Sequence, residues 1–563
     1  MSESSLSDLA PLEPAVAGTG AGEAAMATSA AEIYDTTLRD GTQGEDVQLT
    51  SEDKVAIAKR LDAFGVDYIE GGWPGSNPKD ARFFEAMKDV ELERARLSAF
   101  GSTRHRDVAP EDDANLTALI AAETPVVAIF GKSWTKHVTH ALNATLEQNL
   151  EMIRSSVEFL KARGKFVIYD AEHFFDGYSA DSDYALATLQ AAIAGGADRV
   201  VLCDTNGGSL PGRISSLVTK ILNLSPAPLG IHAHNDAELA VANSLAAVEA
   251  GASHVQGTIN GYGERCGNAN LVSIIANLTL KMKRPQRQEV SELHTLSRYI
   301  DERANLVPNL RAAYVGDAAF AHKGGVHVAA VNKDPTTYEH VTPEAVGGRR
   351  RVLVSDLSGR ANVLAKFEEF SSGSGDSSES VDGDARRVVA RIKELEDRGY
   401  AFEGAEASFQ LLAKKMSSTY QPYFRLHGFR VTIDKGEDAR DPMSEATVRV
   451  EVGDRFEHTA ASGDGPVSAL DKALLKALTT FYPTLVGVEL VDYKVRVLSG
   501  PEKGTSSVVR VQVEMSDGHQ QWMTVGASTN IIDASYGALS DAYEYKLVLD
   551  RITPLVEPTV VVT

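Results

Sequence analysis

The sequence predicts an α/β protein: a (β/α)8 barrel of the TIM type, then a helical linker region, then a C-terminal α+β domain with an internal duplication. Three observations predict it. Between residues 32 and 290, short β-rich apolar runs alternate with longer Ala/Leu/Glu/Lys stretches of helical period. The runs number about eight, which favours a closed barrel over an open doubly wound sheet, the alternative. Beyond residue 420, a strand-to-helix pattern occurs twice, roughly 60 residues apart.

Taken in order, residues 1–31 are rich in Ala, Ser, Gly and Glu, contain no Lys or Arg, and read as a disordered tail. The barrel domain, 32–290, has candidate strands at Ile33–Leu38, Val66–Gly71, Arg96–Gly101, Val126–Gly131, Phe166–Ala171, Arg199–Cys203, Leu229–His234 and His254–Ile259. Helices are expected over Ser51–Phe64, with Thr50 or Ser51 as N-cap, and over Leu146–Arg163, Asp183–Ala194 and Glu238–Ala250. The first strand is followed by RDGTQ and not by GxGxxG, which removes the main signal for a dinucleotide-binding open sheet. Residues 291–419 read as helical linker subdomains, interrupted by a flexible serine-rich loop at 371–384. In the last domain, 420–563, the repeated units are Ala446–Val452 with Val467–Leu478, and Ser507–Glu514 with Ile531–Leu539. Each passes through a Gly-containing turn, Ser462–Pro466 and Gly526–Asn530. A duplicated module without a cluster of catalytic groups suits binding or association.

Composition bounds the function. The 563 residues are 43% hydrophobic and 24% charged, ordinary for globular domains. The net charge of −22 would repel nucleic acid and anionic lipid, so neither is an expected partner. Two cysteines, Cys203 and Cys266, exclude a disulfide framework and read as small packed apolar groups in a reducing cytoplasm. No apolar run approaches the roughly 18 residues a membrane span needs. The start of the chain lacks the basic residues of a secretory or transit signal.

In a parallel barrel the reacting groups sit at the carboxyl ends of the strands. Here the first candidate strand runs into Arg39 and Asp40, the fifth into Asp170 and Glu172, the sixth into Thr205, and the seventh into His232 and His234. Spaced two apart on a strand, the two histidines face one way. Closure through strand eight brings Asp40 to the same point, and Asn268 or a water can complete the shell. The pair alone also fits two hydrogen-bonded polar residues; convergence with Asp40 decides for a divalent ion, Mg²⁺, Mn²⁺ or Zn²⁺. Arg39 is a permanent cation suited to an enolate or alkoxide oxygen, with Glu264 or Glu172 as its expected salt-bridge partner. Glu172 and Thr205 stand where a carboxylate- or carbonyl-bearing substrate would lie.

Four segments, YDTTLRDGTQ (34–43), LCDTNG (202–207), GIHAHND (230–236) and GYGERCGN (261–268), resemble the signatures of the 2-isopropylmalate synthase, homocitrate synthase and citramalate synthase family. HKGGVH (322–327) and TYE (337–339) resemble its linker, and the duplicated tail resembles its regulatory domain. The resemblance implies a metal-assisted Claisen-type condensation of acetyl-CoA with a 2-oxo acid, then thioester hydrolysis. It implies that Asp40, His232 and His234 hold the ion with Asn268 nearby, that Arg39 faces the reacting oxygens, and that Asp40, Glu172 and Thr205 lie against substrate. It also assigns proton transfer to His327 and Tyr338, often delivered by the partner subunit of a dimer. On spacing alone His327 reads as a turn residue.

The stretch IEGGWPGSNPKD (69–80) is similar to the citramalate synthase branch, which uses pyruvate and serves isoleucine biosynthesis. The alternative is the isopropylmalate branch, which uses 2-oxoisovalerate and serves leucine biosynthesis. Trp73 is the candidate for steric exclusion of the larger acid. By the same resemblance the tail binds an end-product amino acid at a dimer interface, with isoleucine expected and leucine the alternative. Two other classes compete: an inert barrel kept as an amino-acid-responsive binding protein, which should have lost a ligand or Arg39, and a metal-dependent aldolase or lyase.

Overall fold

The computed structural model describes residues 30–353, 381–417, 420–435, 442–498 and 507–555. It divides into two compact units, one running to Phe320 and including Val341–Arg349, the other comprising Ala321–His340 and the chain from Arg350.

The first unit is a closed barrel of eight parallel strands in chain order: β1 (Glu32–Asp35), β2 (Tyr68–Gly72), β3 (Arg96–Ser102), β4 (Val126–Lys132), β5 (Phe166–Glu172), β6 (Arg199–Asp204), β7 (Leu229–Ala233) and β8 (His254–Gly257). β8 closes it, pairing Ile33 with Val255 on one side and Ile231 with Val255 on the other. Outward strand residues such as Ile33, Ile69, Ile129, Val200 and Ile231 pack with the surrounding helices in the main core. Alternate residues, including Tyr34, Phe100, Ala128, Val201 and Cys203, fill the interior. The expected helix Ser51–Phe64 forms as predicted. Thr50 caps it and is answered by Asp53, and Gly65 ends it in the left-handed region at φ 96°.

Strand ends differ from expectation for local reasons. β1 stops at Asp35 because its carboxylate accepts from Thr37 N at 3.0 Å and Thr37 Oγ1 at 2.9 Å, turning the chain toward Arg39. β7 stops at Ala233, and His234 instead forms an isolated bridge with Asn268. β8 stops at Gly257, followed by the tight turn Ile259–Gly261.

The floor of the barrel is an ionic and aromatic plug. Arg199 makes two 3.0 Å bonds to Glu32, and Arg96 lies 4.4 Å over the Phe166 ring. Burial would raise the Glu32 carboxyl, but hydrogen bonds from His254 and Arg199 outweigh it and hold the group at about 2. A depressed folded-state value stabilises the fold above the ordinary carboxylate range and is lost as pH falls toward 2. Glu32→Gln should therefore lower stability at neutral pH but flatten the acid unfolding curve between about pH 4.5 and 2. A curve of unchanged steepness in that window would contradict this role.

The second unit contains the pair β9 (Ala321–His322) and β10 (Arg351–Val352), and helices Gly325–Val331, Val381–Asp397 and Glu406–Lys415. Residues 1–29 of the expected tail and 371–380 of the expected serine-rich loop lie outside the described residues, and helix already begins at Val381. Two antiparallel three-stranded sheets follow: β11 (Arg425–Asp434), β12 (Met443–Val452) and β13 (Arg455–Gly463), then β14 (Glu489–Val497), β15 (Val509–Ser516) and β16 (Gln521–Ser528). Each is backed by one helix, Pro466–Thr479 and Ile531–Leu549. In β12, Ala446, Val448, Val450 and Val452 alternate inward onto Ala469, Leu470, Ala473 and Leu474. The duplication extends to single bonds: Thr459 Oγ1 donates to Ala473 O and Thr524 Oγ1 to Ala538 O, both at 2.7 Å. Gly526, expected in a turn, lies inside β16 with its Cα against Ala534 O, where a Cβ would come within 2.1 Å of that oxygen.

Candidate active site

The barrel's carboxyl end opens into a cavity of about 240 Å³ lined by Arg39, Asp40, Trp73, Glu172, Thr205, His232 and His234 among others. The structure thus gathers at one mouth almost all the barrel residues singled out from sequence. Asp40 stands in the turn after β1, His232 on β7, and His234 one residue beyond it. Asp40 Oδ2 lies 3.3 Å from His232 Nε2 and 4.0 Å from His234 Nε2, and the two Nε2 atoms are 3.2 Å apart. All three side chains are buried, and theirs is the one such group with metal-holding geometry among the described residues.

The donor set fits a divalent cation. Two imidazole nitrogens 3.2 Å apart repel unless a proton or cation lies between them. Asn268 Oδ1, next to His234 through their bridge, is buried without a hydrogen-bond partner, while its Nδ2 donates to Tyr262 O at 3.2 Å. Burial alone would raise the Asp40 carboxyl, but Arg39 and His232 hold it far below the usual range, so it is an anion. Burial would lower His232, but the Asp40 carboxylate raises it instead. Burial, with His232 alongside, drops His234 to about 3 and leaves it a neutral ligand.

Arg39 corrects one expectation. Its partners are not Glu264 or Glu172 but Glu70, at 2.6 Å from Nε, and Asp40, at 2.9 Å from Nη1. The guanidinium folds inward and lies 3.6 Å from the Phe100 ring centroid. Glu70, on β2, is fully buried and also accepts from Tyr34 Oη at 2.9 Å. Burial disfavours the Arg39 cation, but Asp40 and Glu70 raise its pKa above the ordinary range and keep it charged.

Glu172 is paired with Lys132 of β4. Thr205 Oγ1 accepts from His173 N at 2.9 Å. Asp170, facing the interior from β5, is pushed up to about 7 by burial and then by Glu70. Cys203 lines the cavity and burial raises its thiol, whereas Cys266, expected to be packed, is exposed. Trp73 is pinned by a 2.7 Å bond from Nε1 to Asn115 and stands edge-on to Phe100 and Phe130, each at 5.7 Å. These three rings form one wall of the cavity. Glu70, Phe100, Phe130 and Lys132 were not singled out from sequence. The available signal was strand parity, which puts Glu70, Phe100 and Phe130 on inward positions.

His327 and Tyr338 belong to the second unit. They are exposed, and their rings stack with centroids 4.2 Å apart. Beside them Glu339 grips Arg350 through two 2.6 Å bonds and His322 at 3.1 Å, so the Thr337–Glu339 segment is tied to the rest of its unit.

Residues 30–300 match the HMGL-like family, 314–400 the homocitrate synthase post-HMGL domain-like family, and 403–547 the LeuA allosteric (dimerisation) domain. The chain is 56% identical to an (R)-citramalate synthase of Geobacter sulfurreducens over 92% of its own length and 98% of the relative's. It is 52% identical to an (R)-citramalate synthase of Aquifex aeolicus, over 92% and 98%. A probable 2-isopropylmalate synthase of Methanopyrus kandleri is 34% identical, over 90% and 96%.

Proposed function

The chain belongs to the (R)-citramalate synthase family, and on that premise and the geometry of the barrel mouth we propose that it condenses acetyl-CoA with pyruvate and water to give citramalate and CoA, serving isoleucine biosynthesis. The convergence of Asp40, His232 and His234 carries the reading, because it supplies one anionic and two imidazole donors at the end of a cavity sized for a small acid. With Asn268 beside them, these residues would hold a divalent ion, Mg²⁺, Mn²⁺ or Zn²⁺. Bound there, the ion supplies Lewis-acid polarisation of the keto group.

The protein's own groups account for the rest. Arg39, charged and held from two sides, faces the oxygen on which negative charge develops. Glu172 and Thr205 line the part of the cavity that receives the keto acid or acetyl group. His327 and Tyr338 form the pair assigned to proton transfer at the thioester methyl. That carbon then bonds to the keto carbon, the keto oxygen takes up a proton, and water cleaves the thioester to release CoA. Measuring thiol release with pyruvate, 2-oxoisovalerate and 2-oxoglutarate in parallel, with and without chelator, tests the reading. Turnover with pyruvate that survives metal removal would overturn it, as would a preference for either larger acid.

Preference for pyruvate over 2-oxoisovalerate rests on the wall formed by Trp73, Phe100 and Phe130. Behind it lies a second cavity of about 400 Å³, also bordered by Trp73 and Phe130. Two extra carbons are worth about 1.6 kcal/mol of burial once space exists for them. Trp73→Ala should shift the turnover ratio toward 2-oxoisovalerate by about tenfold. An unchanged ratio removes Trp73 from the specificity wall.

The boundaries 32–290 for catalysis, 291–419 for the linker and 420–563 for regulation follow from the same reading. The match to an allosteric (dimerisation) domain supports a homodimer. So do Leu490, Val491, Val495 and Val497, which β14, an edge strand, leaves exposed. Isoleucine is the proposed inhibitor; inhibition of the full chain by leucine instead would point to the other branch. Among the described residues no helix is long and apolar enough to cross a membrane, and both cysteines are free, in keeping with a cytoplasmic enzyme.

A further inference from the structure

Behind the candidate metal centre three buried side chains from three strands form a chain of hydrogen bonds. Asp170 reaches in from β5, His232 from β7 and Gln256 from β8, and His232 and Gln256 are direct neighbours in the strand register. Gln256 Nε2 donates to Asp170 Oδ1 at 3.0 Å, and Gln256 Oε1 lies 2.9 Å from His232 Nδ1. We propose that Gln256, oriented by Asp170, is a positioning residue that fixes His232 as its Nδ1–H tautomer and so turns the Nε2 lone pair to the metal centre.

The direction of each bond carries the argument. Asp170 Oδ1 accepts from the amide nitrogen, so Gln256 turns its NH2 toward β5 and its Oε1 toward His232. The amide oxygen that is left facing His232 also only accepts, so the proton must sit on Nδ1. In a neutral imidazole Nε2 is then unprotonated. That atom is the one 3.3 Å from Asp40 Oδ2 and 3.2 Å from His234 Nε2. The opposite tautomer would place a hydrogen in the space where a cation must sit. Partners of this kind typically change metal affinity by 10- to 100-fold when removed.

The inference rests on the proposed metal-dependent reading, and the experiment separates the two. The Kd for Mn²⁺ alone, added to the full-length protein at pH 8, is measured by calorimetry for the wild type, Gln256→Leu and Asp170→Asn. Gln256→Leu should bind about 10- to 100-fold more weakly. Asp170→Asn, whose Oδ1 still accepts from Gln256, should stay within about threefold. In parallel, ¹⁵N-histidine spectra of the metal-free wild type, with the signal assigned through His232→Gln, should show His232 protonated at Nδ1. A Gln256→Leu affinity within twofold of the wild type, or a His232 signal protonated at Nε2 and not at Nδ1, overturns the inference. Should Gln256→Leu fail to fold, the wild-type spectrum decides it. A wild type that binds no Mn²⁺ and no Zn²⁺ overturns the metal-dependent reading instead, and the tautomer still reports on Gln256.

Discussion

Asp40→Asn should lower citramalate formation by about a thousandfold or more and weaken divalent-metal binding at the same time, while leaving the barrel folded. The substitution is nearly isosteric at a buried position, so packing changes little. What changes is charge. Among the described residues Asp40 is the one anion in contact with both imidazoles, and Arg39 keeps it ionised across the whole physiological range. The neutral amide gives the ion one weaker oxygen donor and leaves two imidazoles as its main ligands. Losing several kcal/mol of charge stabilisation on the electrophile corresponds to roughly three orders of magnitude in rate. Steady-state thiol release and metal content after dialysis would be measured on the same sample. More than about a tenth of wild-type turnover with pyruvate would remove Asp40 from the centre.

The same geometry shows what could be read from sequence. The alternation of runs and helices makes the barrel legible, because each strand is followed by its own helix, and several of those helices carry a side-chain cap, among them those begun by Thr50, Asn77, Asp113, Thr145 and Asp181. His232 and His234 were legible through their two-residue spacing, and Asp40 through the closure that puts β1 and β7 on either side of β8. The partners of Arg39 were not. Rim position alone suggests Glu264 or Glu172, whereas the side chain bends inward over Phe100 to reach Glu70. Which interior side chains meet depends on the stagger of a closed sheet, and residue spacing along one strand does not encode that stagger. Gln256 stayed hidden for the same reason, and Asp170, legible as a group near the end of its strand, could not be paired with it. In the C-terminal domain most residues of β11, β13 and β14 are not buried, so burial alternates cleanly in β12 and β15, the middle strand of each half. The duplicated helices start at Pro466 and Ile531, slightly further apart than the spacing read from the apolar runs.

Arg39→Lys should reduce kcat by about 100-fold with much less effect on metal affinity, and Arg39→Gln should reduce it further. The order follows from geometry. Lysine preserves the charge but has no planar fork to span Glu70 and Asp40, and no flat face to lie on Phe100. Its ammonium would settle on one carboxylate and leave the substrate oxygen without its donor. Glutamine removes the charge altogether, and Glu70 is then a buried carboxylate whose remaining hydrogen bond comes from Tyr34. Leaving a buried charge uncompensated costs about 3–5 kcal/mol, so this variant should also melt earlier. The lysine variant separates the two effects, because it leaves the net charge of the interior unchanged while disturbing only the placement of the cation. Comparing kcat, Mn²⁺ affinity and Tm across the two variants would show whether Arg39 acts on the reaction or on the fold. If Arg39→Lys turns over pyruvate within threefold of the wild type, a point charge suffices. The network of Tyr34, Ser98 and Glu70 beneath Arg39 would then serve the barrel's stability and not the orientation of its cation.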